Sequence, residues 1–224
     1  MNIKLIKKIN YMEFEINEKS DGSIKVVLLG ETFVGKTSLI NVYIKNVFNP
    51  DAKNTLTSTS FEKTIETSKG KFSIKIWDTA GQERFRCLNK LYIKGSSIVI
   101  FVYDISRKST FNELTFWIDY TKEYLGNDDA VYGILGNKID LLDKESEIKE
   151  KYPDMEFDLV SNEEGIALAN KIGAEFCETS SKEGGPGLSE FIMELVEKFL
   201  SKKDSNKSEK ITLKDGGKKK KKLC

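Results

Sequence analysis

Gly30-Glu31-Thr32-Phe33-Val34-Gly35-Lys36-Thr37 follows directly on the apolar run Ile24–Leu29, and this junction decides the fold. The run is short, rich in β-branched residues and stopped by Gly30, so it predicts a buried strand. From residue 36 to residue 44 the apolar spacing predicts a helix. Between them stands the pattern Gly-x-x-x-x-Gly-Lys-Ser/Thr. Its glycines let the backbone wrap closely around a polyphosphate, with successive N–H groups pointing inward as an anion nest. Lys36 supplies a point charge for the outer phosphate oxygens, and the Thr37 hydroxyl is a ligand for Mg²⁺. Thr32, Phe33, Val34 and Ser38 share the loop and the first helical turn, and are assigned to nucleotide binding with Gly30, Gly35, Lys36 and Thr37.

Outward from this junction, similar apolar runs recur at residues 72–77, 98–103, 131–135 and 175–177. Helical spacing lies between them at residues 110–124, 162–172 and 188–200. Strands alternating with helices predict βαβ units and a mostly parallel sheet covered on both faces. Such sheets bind ligands in the loops beyond the carboxyl ends of their strands. Both remaining motifs fall there.

The first is Asp78-Thr79-Ala80-Gly81-Gln82, at the end of the run 72–77. Asp78 is placed to hold Mg²⁺ through water, as the second acidic element of a phosphate-loop site does. Gly81 has no side chain to keep its N–H from a γ-phosphate. Gln82 carries both a donor and an acceptor, which suits it to orient an attacking water. The second is Asn137-Lys138-Ile139-Asp140, after the run 131–135. A carboxylate accepts two parallel hydrogen bonds only from a base edge with adjacent N–H donors. Guanine has that edge and adenine lacks it, so Asp140 selects GTP and GDP.

With these three motifs in order, the sequence resembles the Ras superfamily and, within it, the Rab family, over residues 24–200. The Rab likeness rests on Ile76-Trp77 before Asp78, on Glu83-Arg84-Phe85-Arg86 after Gln82, and on Phe101-Val102-Tyr103-Asp104-Ile105-Ser106. The resemblance implies a P-loop NTPase G domain of the α/β class, a mostly parallel six-stranded sheet flanked by helices. It implies that Ser180, Ser181 and Lys182 meet the guanine base and that Phe48 packs against its ring. It also implies a switch threonine nineteen residues after Lys36 and twenty-three before Asp78, and both counts land on Thr55. The family's glycine two residues later is Thr57 here, and Thr57 and Thr59 are the alternatives if the loop is shifted. The implied activity is GTP hydrolysis by a slow molecular switch in vesicle trafficking. Lys36, Thr55 and Gln82 act on the reaction, and Thr37, Thr55 and Asp78 hold Mg²⁺. The implied partners are an exchange factor, a GTPase-activating protein, a GDP dissociation inhibitor and effectors that meet partly exposed Phe61, Trp77 and Phe85. A GTP-binding scaffold without hydrolysis is the alternative reading, and a P-loop ATPase is disfavoured by Asp140.

Composition narrows the setting. The chain lacks histidine, which excludes any histidine base, and its three cysteines (Cys87, Cys177 and Cys224) fit neither a paired disulfide set nor a zinc site. Residues 1–22 form a polar extension without an apolar run of signal-peptide length. A reducing, cytoplasmic setting is expected from the cysteines, and the resemblance implies a monomer peripheral on the cytosolic face of intracellular membranes. Relative to the family, about thirteen surplus residues fall near 145–158, and their charge and Pro153 predict an exposed insertion away from the nucleotide. Residues 201–224 hold ten lysines against three acids, a balance of +7, so the other residues of this +1 chain sum to −6. A basic, polar tail on an acidic body predicts a disordered segment that seeks an anionic membrane, and a body that does not bind nucleic acid. The resemblance implies a prenyl group on the terminal Cys224, to which lysines 218–222 near a leaflet add about 1 kcal/mol each.

Overall fold

The computed structural model describes residues 22–52, 55, 58–80, 86–126, 129–151, 153 and 157–216, with the backbone alone for 86–88 and 207–216. Six strands make one sheet: β1 (Ile24–Leu29), β2 (Thr59–Thr67), β3 (Gly70–Asp78), β4 (Ile98–Asp104), β5 (Val131–Asn137) and β6 (Glu175–Thr179). Their order is β2-β3-β1-β4-β5-β6. β2 runs antiparallel to β3, and every other neighbouring pair is parallel. The chain leaves β1 toward one edge and later crosses to the other, so the carboxyl end of β1 opens into the crevice where such sheets bind ligands.

The helices are α1 (Lys36–Lys45), α2 (Arg86–Ile93), α3 (Lys108–Asn112), α4 (Leu114–Tyr124), α5 (Glu145–Lys151), α6 (Asn162–Ile172) and α7 (Leu188–Gly216), with a 3₁₀ turn over Ile139–Lys144. Strand alternation sends Ile24, Val26 and Leu28 to one face of the sheet and Val27 and Leu29 to the other. On the first face, α7 lays down Leu188, Phe191, Ile192, Leu195, Val196, Phe199 and Leu200, a helical stripe buried throughout. On the second face, Leu114, Trp117 and Ile118 of α4 pack with Tyr92, Ile93 and Ala169. Among the described residues, no helix is long and apolar enough to cross a membrane.

Four features differ from the sequence expectation. β2 went unread because it is an edge strand with only Ile65 fully buried, so its apolar signal is thin. The helix expected over 110–124 begins at Lys108 and is two pieces joined at Glu113. The segment near 145–158 is not wholly exposed. α5 buries nothing, but Phe157 is buried and Asp158 pairs with Arg107, its N–H donating to the Ser106 carbonyl at 2.9 Å. The tail expected to be disordered from residue 201 continues α7 as helix to Gly216. Extending a formed helix adds one hydrogen bond per residue fixed, which is far easier than nucleating one. Lys69 also holds Asp204 at 2.7 Å, one turn past Leu200.

The fit between β5 and α7 is tight at Gly133, where an added Cβ would stand 2.7 Å from Phe191 Cζ and 2.9 Å from Leu195 Cδ1. Gly133→Ala is expected to cost about 1–3 kcal/mol. That corresponds to a fall in Tm of roughly 2–12 °C. A thermal melt with unchanged Tm would show that α7 does not sit on β5 in this way.

Candidate nucleotide site

The loop from β1 to α1 adopts its shape because two positions tolerate only glycine. Gly30 has φ +147°, and a Cβ there would lie 2.1 Å from the Val102 carbonyl oxygen. Gly35 has φ +98°, and a Cβ there would lie 2.2 Å from Asn137 Nδ2. Gly35 is also the N-cap of α1, where no side chain caps the helix and no acid sits in the first turn. Its first N–H groups and dipole are therefore left for an external anion. α6 shows the contrast, since Ser161 and Glu164 close its N-terminus with a reciprocal capping box. Lys36 is buried in the loop and donates to the carbonyls of Gly30 at 2.7 Å and Glu31 at 2.8 Å. Burial pulls its ammonium down to about 8, against the opposing pull of Asp78 and Glu31.

Beside this cradle three oxygens converge. Thr55 Oγ1 lies 2.7 Å from Thr37 Oγ1, and Thr37 Oγ1 donates to Asp78 Oδ2 at 2.7 Å. Thr55 Oγ1 stands 3.5 Å from the same carboxylate oxygen. Burial pushes the Asp78 carboxyl up, with the Thr37 hydrogen bond, Lys36 and Thr55 opposing. The donor set fits Mg²⁺, which takes hard oxygens at about 2.0–2.1 Å and keeps several waters. Among the described residues Asp78 Oδ1 is buried without a hydrogen-bond partner, as a carboxylate that accepts from a metal-bound water would be. Of the alternatives to Thr55, Thr59 is exposed in β2 and Thr57 lies outside the described residues. Gly81 and Gln82 lie outside them too.

A cavity of about 340 Å³ runs from Thr32, Lys36 and Thr37 past Thr55 and Phe48 to Lys138, Asp140, Ser181 and Lys182. At its far end the side chain of Asn137, fully buried, joins three loops. Its Nδ2 donates to the Val34 carbonyl at 2.8 Å, and its Oδ1 accepts from the Ser181 N–H at 3.0 Å. Ser180 Oγ donates to Asp140 Oδ1 at 2.6 Å, and Lys182 Nζ stands 3.7 Å from Asp140 Oδ2. The cavity therefore has an anion-binding end and a carboxylate end, joined by a half-buried aromatic wall at Phe48.

A model of the Ras family matches residues 25–201 of this chain. The chain belongs to the Ras family. It is 37% identical to Ras-related protein Rab-21 of Geodia cydonium, over 79% of this chain and 70% of that relative. It is 33% identical to Ras-related protein SEC4 of Saccharomyces cerevisiae, over 85% and 82%, and 35% identical to Ras-related protein Rab-18 of Lymnaea stagnalis, over 80% and 81%. Together these place it among the Rab small GTPases as a divergent member with a guanine-nucleotide-binding G domain.

Two residues of this Rab GTPase's site escaped the sequence reading. Asp104, at the end of β4 and level with Asn137 in the sheet register, is held at 2.7 Å by Lys138 and at 2.9 Å by Arg107. Burial alone would raise the Asp104 carboxyl, but Lys138, Ser106 and Arg107 hold it below its ordinary value. Arg107 also reaches the Thr32 carbonyl at 3.4 Å. The available signal was an acid closing an apolar run, the same signal that marked Asp78. Trp77, expected to be partly exposed, is instead 9% exposed and packs at 5.1 Å from Tyr92. It sits next to the strand end, where its alternation points it into the core. Phe61 is half-buried with Lys45 over its ring, and Phe85 lies outside the described residues.

Asp140→Asn is expected to weaken GTP about 10²-fold or more and to admit xanthine nucleotides, since xanthine offers an acceptor where guanine has its 2-amino donor. Competition of GTP and XTP against labelled GDP measures it. An unchanged preference for GTP would remove Asp140 from base selection.

Proposed function

We propose that this Rab GTPase hydrolyses GTP to GDP and cycles between the two forms as a switch for membrane traffic. The observation that carries the proposal is the convergence of Thr37, Thr55 and the Asp78 carboxylate beside buried Lys36, at the phosphate end of the cavity. Thr37 and Thr55 would hold Mg²⁺, with Asp78 behind water, and the ion when bound neutralises the β- and γ-phosphate oxygens. Lys36 and the open N-terminus of α1 bind and orient the same oxygens. Gln82 orients a water for in-line attack on the γ-phosphorus. A P–O bond forms to that water as the bond to the β–γ bridging oxygen breaks, which releases GDP and inorganic phosphate.

Among the described residues, the arginine found against the phosphate loop is Arg107, which is fixed by Asp104 and the Thr32 carbonyl. It is occupied as a structural tie and does not serve the transferring phosphoryl group. Intrinsic turnover is then slow, on the scale of ~10⁻⁴ s⁻¹, and a partner that supplies an arginine accelerates it. Loss of the γ-phosphate releases contacts at Thr55 and Gly81 and changes what an exchange factor, an activating protein, a dissociation inhibitor or an effector meets. Lysines 218–222 and a lipid on Cys224 hold the protein on an anionic membrane.

Gln82→Leu should slow single-turnover hydrolysis by at least about tenfold and leave GTP affinity nearly unchanged, because Gln82 acts on the water and not on the bound ground state. Equal rates for the variant and the wild type would remove Gln82 from the mechanism. Absence of hydrolysis in the wild type, alone and with an activating partner, would leave a GTP-binding scaffold.

A further inference from the structure

The phosphate loop carries an exposed aromatic residue at a backbone conformation that favours glycine. Phe33 has φ +66°, a left-handed conformation that is strained for a bulky L-residue. Its ring is 63% exposed, so packing in the core does not offset that cost. The residues on both sides are tied down. The Glu31 carboxylate accepts from Trp117 Nε1 at 3.3 Å, the Thr32 carbonyl accepts from Arg107, and the Val34 carbonyl accepts from Asn137. A loop held from three elements enforces the strained backbone at the residue between them. Phe33 lines the same cavity as Lys36, Thr37, Lys138 and the half-buried Phe48.

We propose that Phe33 is a retention residue, whose ring lies against the bound guanine nucleotide at the mouth of the cavity and slows its release. The proposal rests on the guanine-nucleotide reading of that cavity. An exposed ring at the rim becomes covered only when the cavity is filled, so its apolar contact favours the occupied state alone. Covering about half of a phenylalanine side chain corresponds to roughly a tenfold slower dissociation, or ~1.4 kcal/mol. The strain is present in both free and occupied protein and cancels from release, whereas the ring contact does not.

The test separates ring from backbone. Wild type, Phe33→Gly, Phe33→Ala and Phe33→Tyr are loaded with a fluorescent GDP analogue in Mg²⁺ buffer, and release is followed after a chase of excess GDP. Thermal melts are recorded alongside. Phe33→Gly and Phe33→Ala are expected to release the label about tenfold faster than wild type and at rates matching each other. They should differ in Tm, because alanine keeps the left-handed strain that glycine relieves. Phe33→Tyr should release as slowly as wild type. Release within twofold of wild type for both small variants would overturn the inference, as would rates that follow Tm instead of ring size. Asp140→Asn is run as the control for the site itself. Wild type that retains no more label than that variant would overturn the inference together with the guanine-nucleotide reading beneath it. Wild type that retains the label while all Phe33 variants behave alike would overturn this inference only.

Discussion

The buried amide of Asn137 holds the Val34 carbonyl and the Ser181 N–H from the end of β5, and the geometry of the whole cavity follows from that joint. One bond fixes the phosphate loop and the other fixes the loop that follows β6. If either loop moved, a buried polar group would lose its partner, at about 1–3 kcal/mol. Gly35 is part of the same constraint, since any side chain there would occupy the space of Asn137 Nδ2. The anion-binding end and the Asp140 end are thus set at a fixed separation by a residue that need not touch the reacting phosphate. Preorganisation of this kind is what lets polar groups act on a ligand without being reordered when it arrives.

Charge is arranged around that joint in matched pieces. Lys36 is pulled below its ordinary value by burial, and Asp78 is pushed above its own, so each gains from a neighbour of opposite sign. Asp104 lies at the same level of the sheet as Asn137 and is the acid that Lys138 and Arg107 share. Through Arg107 it connects the loop after β4 to the phosphate loop, and through the Asp158 pairing to the charged segment that precedes α6. That segment is therefore not remote from the nucleotide in connectivity, although α5 within it buries nothing.

On the first face of the sheet, α7 supplies a long apolar stripe, and its polar side reaches the β2–β3 hairpin. Glu197 accepts from the Ser68 N–H and hydroxyl, and Asp204 pairs with Lys69. These exposed contacts contribute little individually. They nonetheless continue the helical path past Leu200, where the apolar stripe ends and sequence periodicity loses its signal.

What the sequence determined by itself lies where chemistry and local period coincide. β1 and α6 fall on their expected bounds, because a short run rich in β-branched residues stopped by Gly30 and an amphipathic run between a cap and Gly173 are local signals. Gly30, Gly35, Lys36, Asp78, Asn137 and Asp140 could be singled out as candidates because the reason for choosing each is contained in its own residue type. Tertiary structure decided the rest. β2 is a strand because β3 pairs with it, not because its own side chains demand burial. Thr55 stands beside Thr37 and Asp78 from a distant part of the chain, a proximity that residue counting suggested but could not enforce. Trp77 is buried, and Asp104 and Arg107 belong to the site, for the same physical reason. Side chains on different strands and loops come together only when the sheet sets their register, and register is a property of the pairing and not of any one segment.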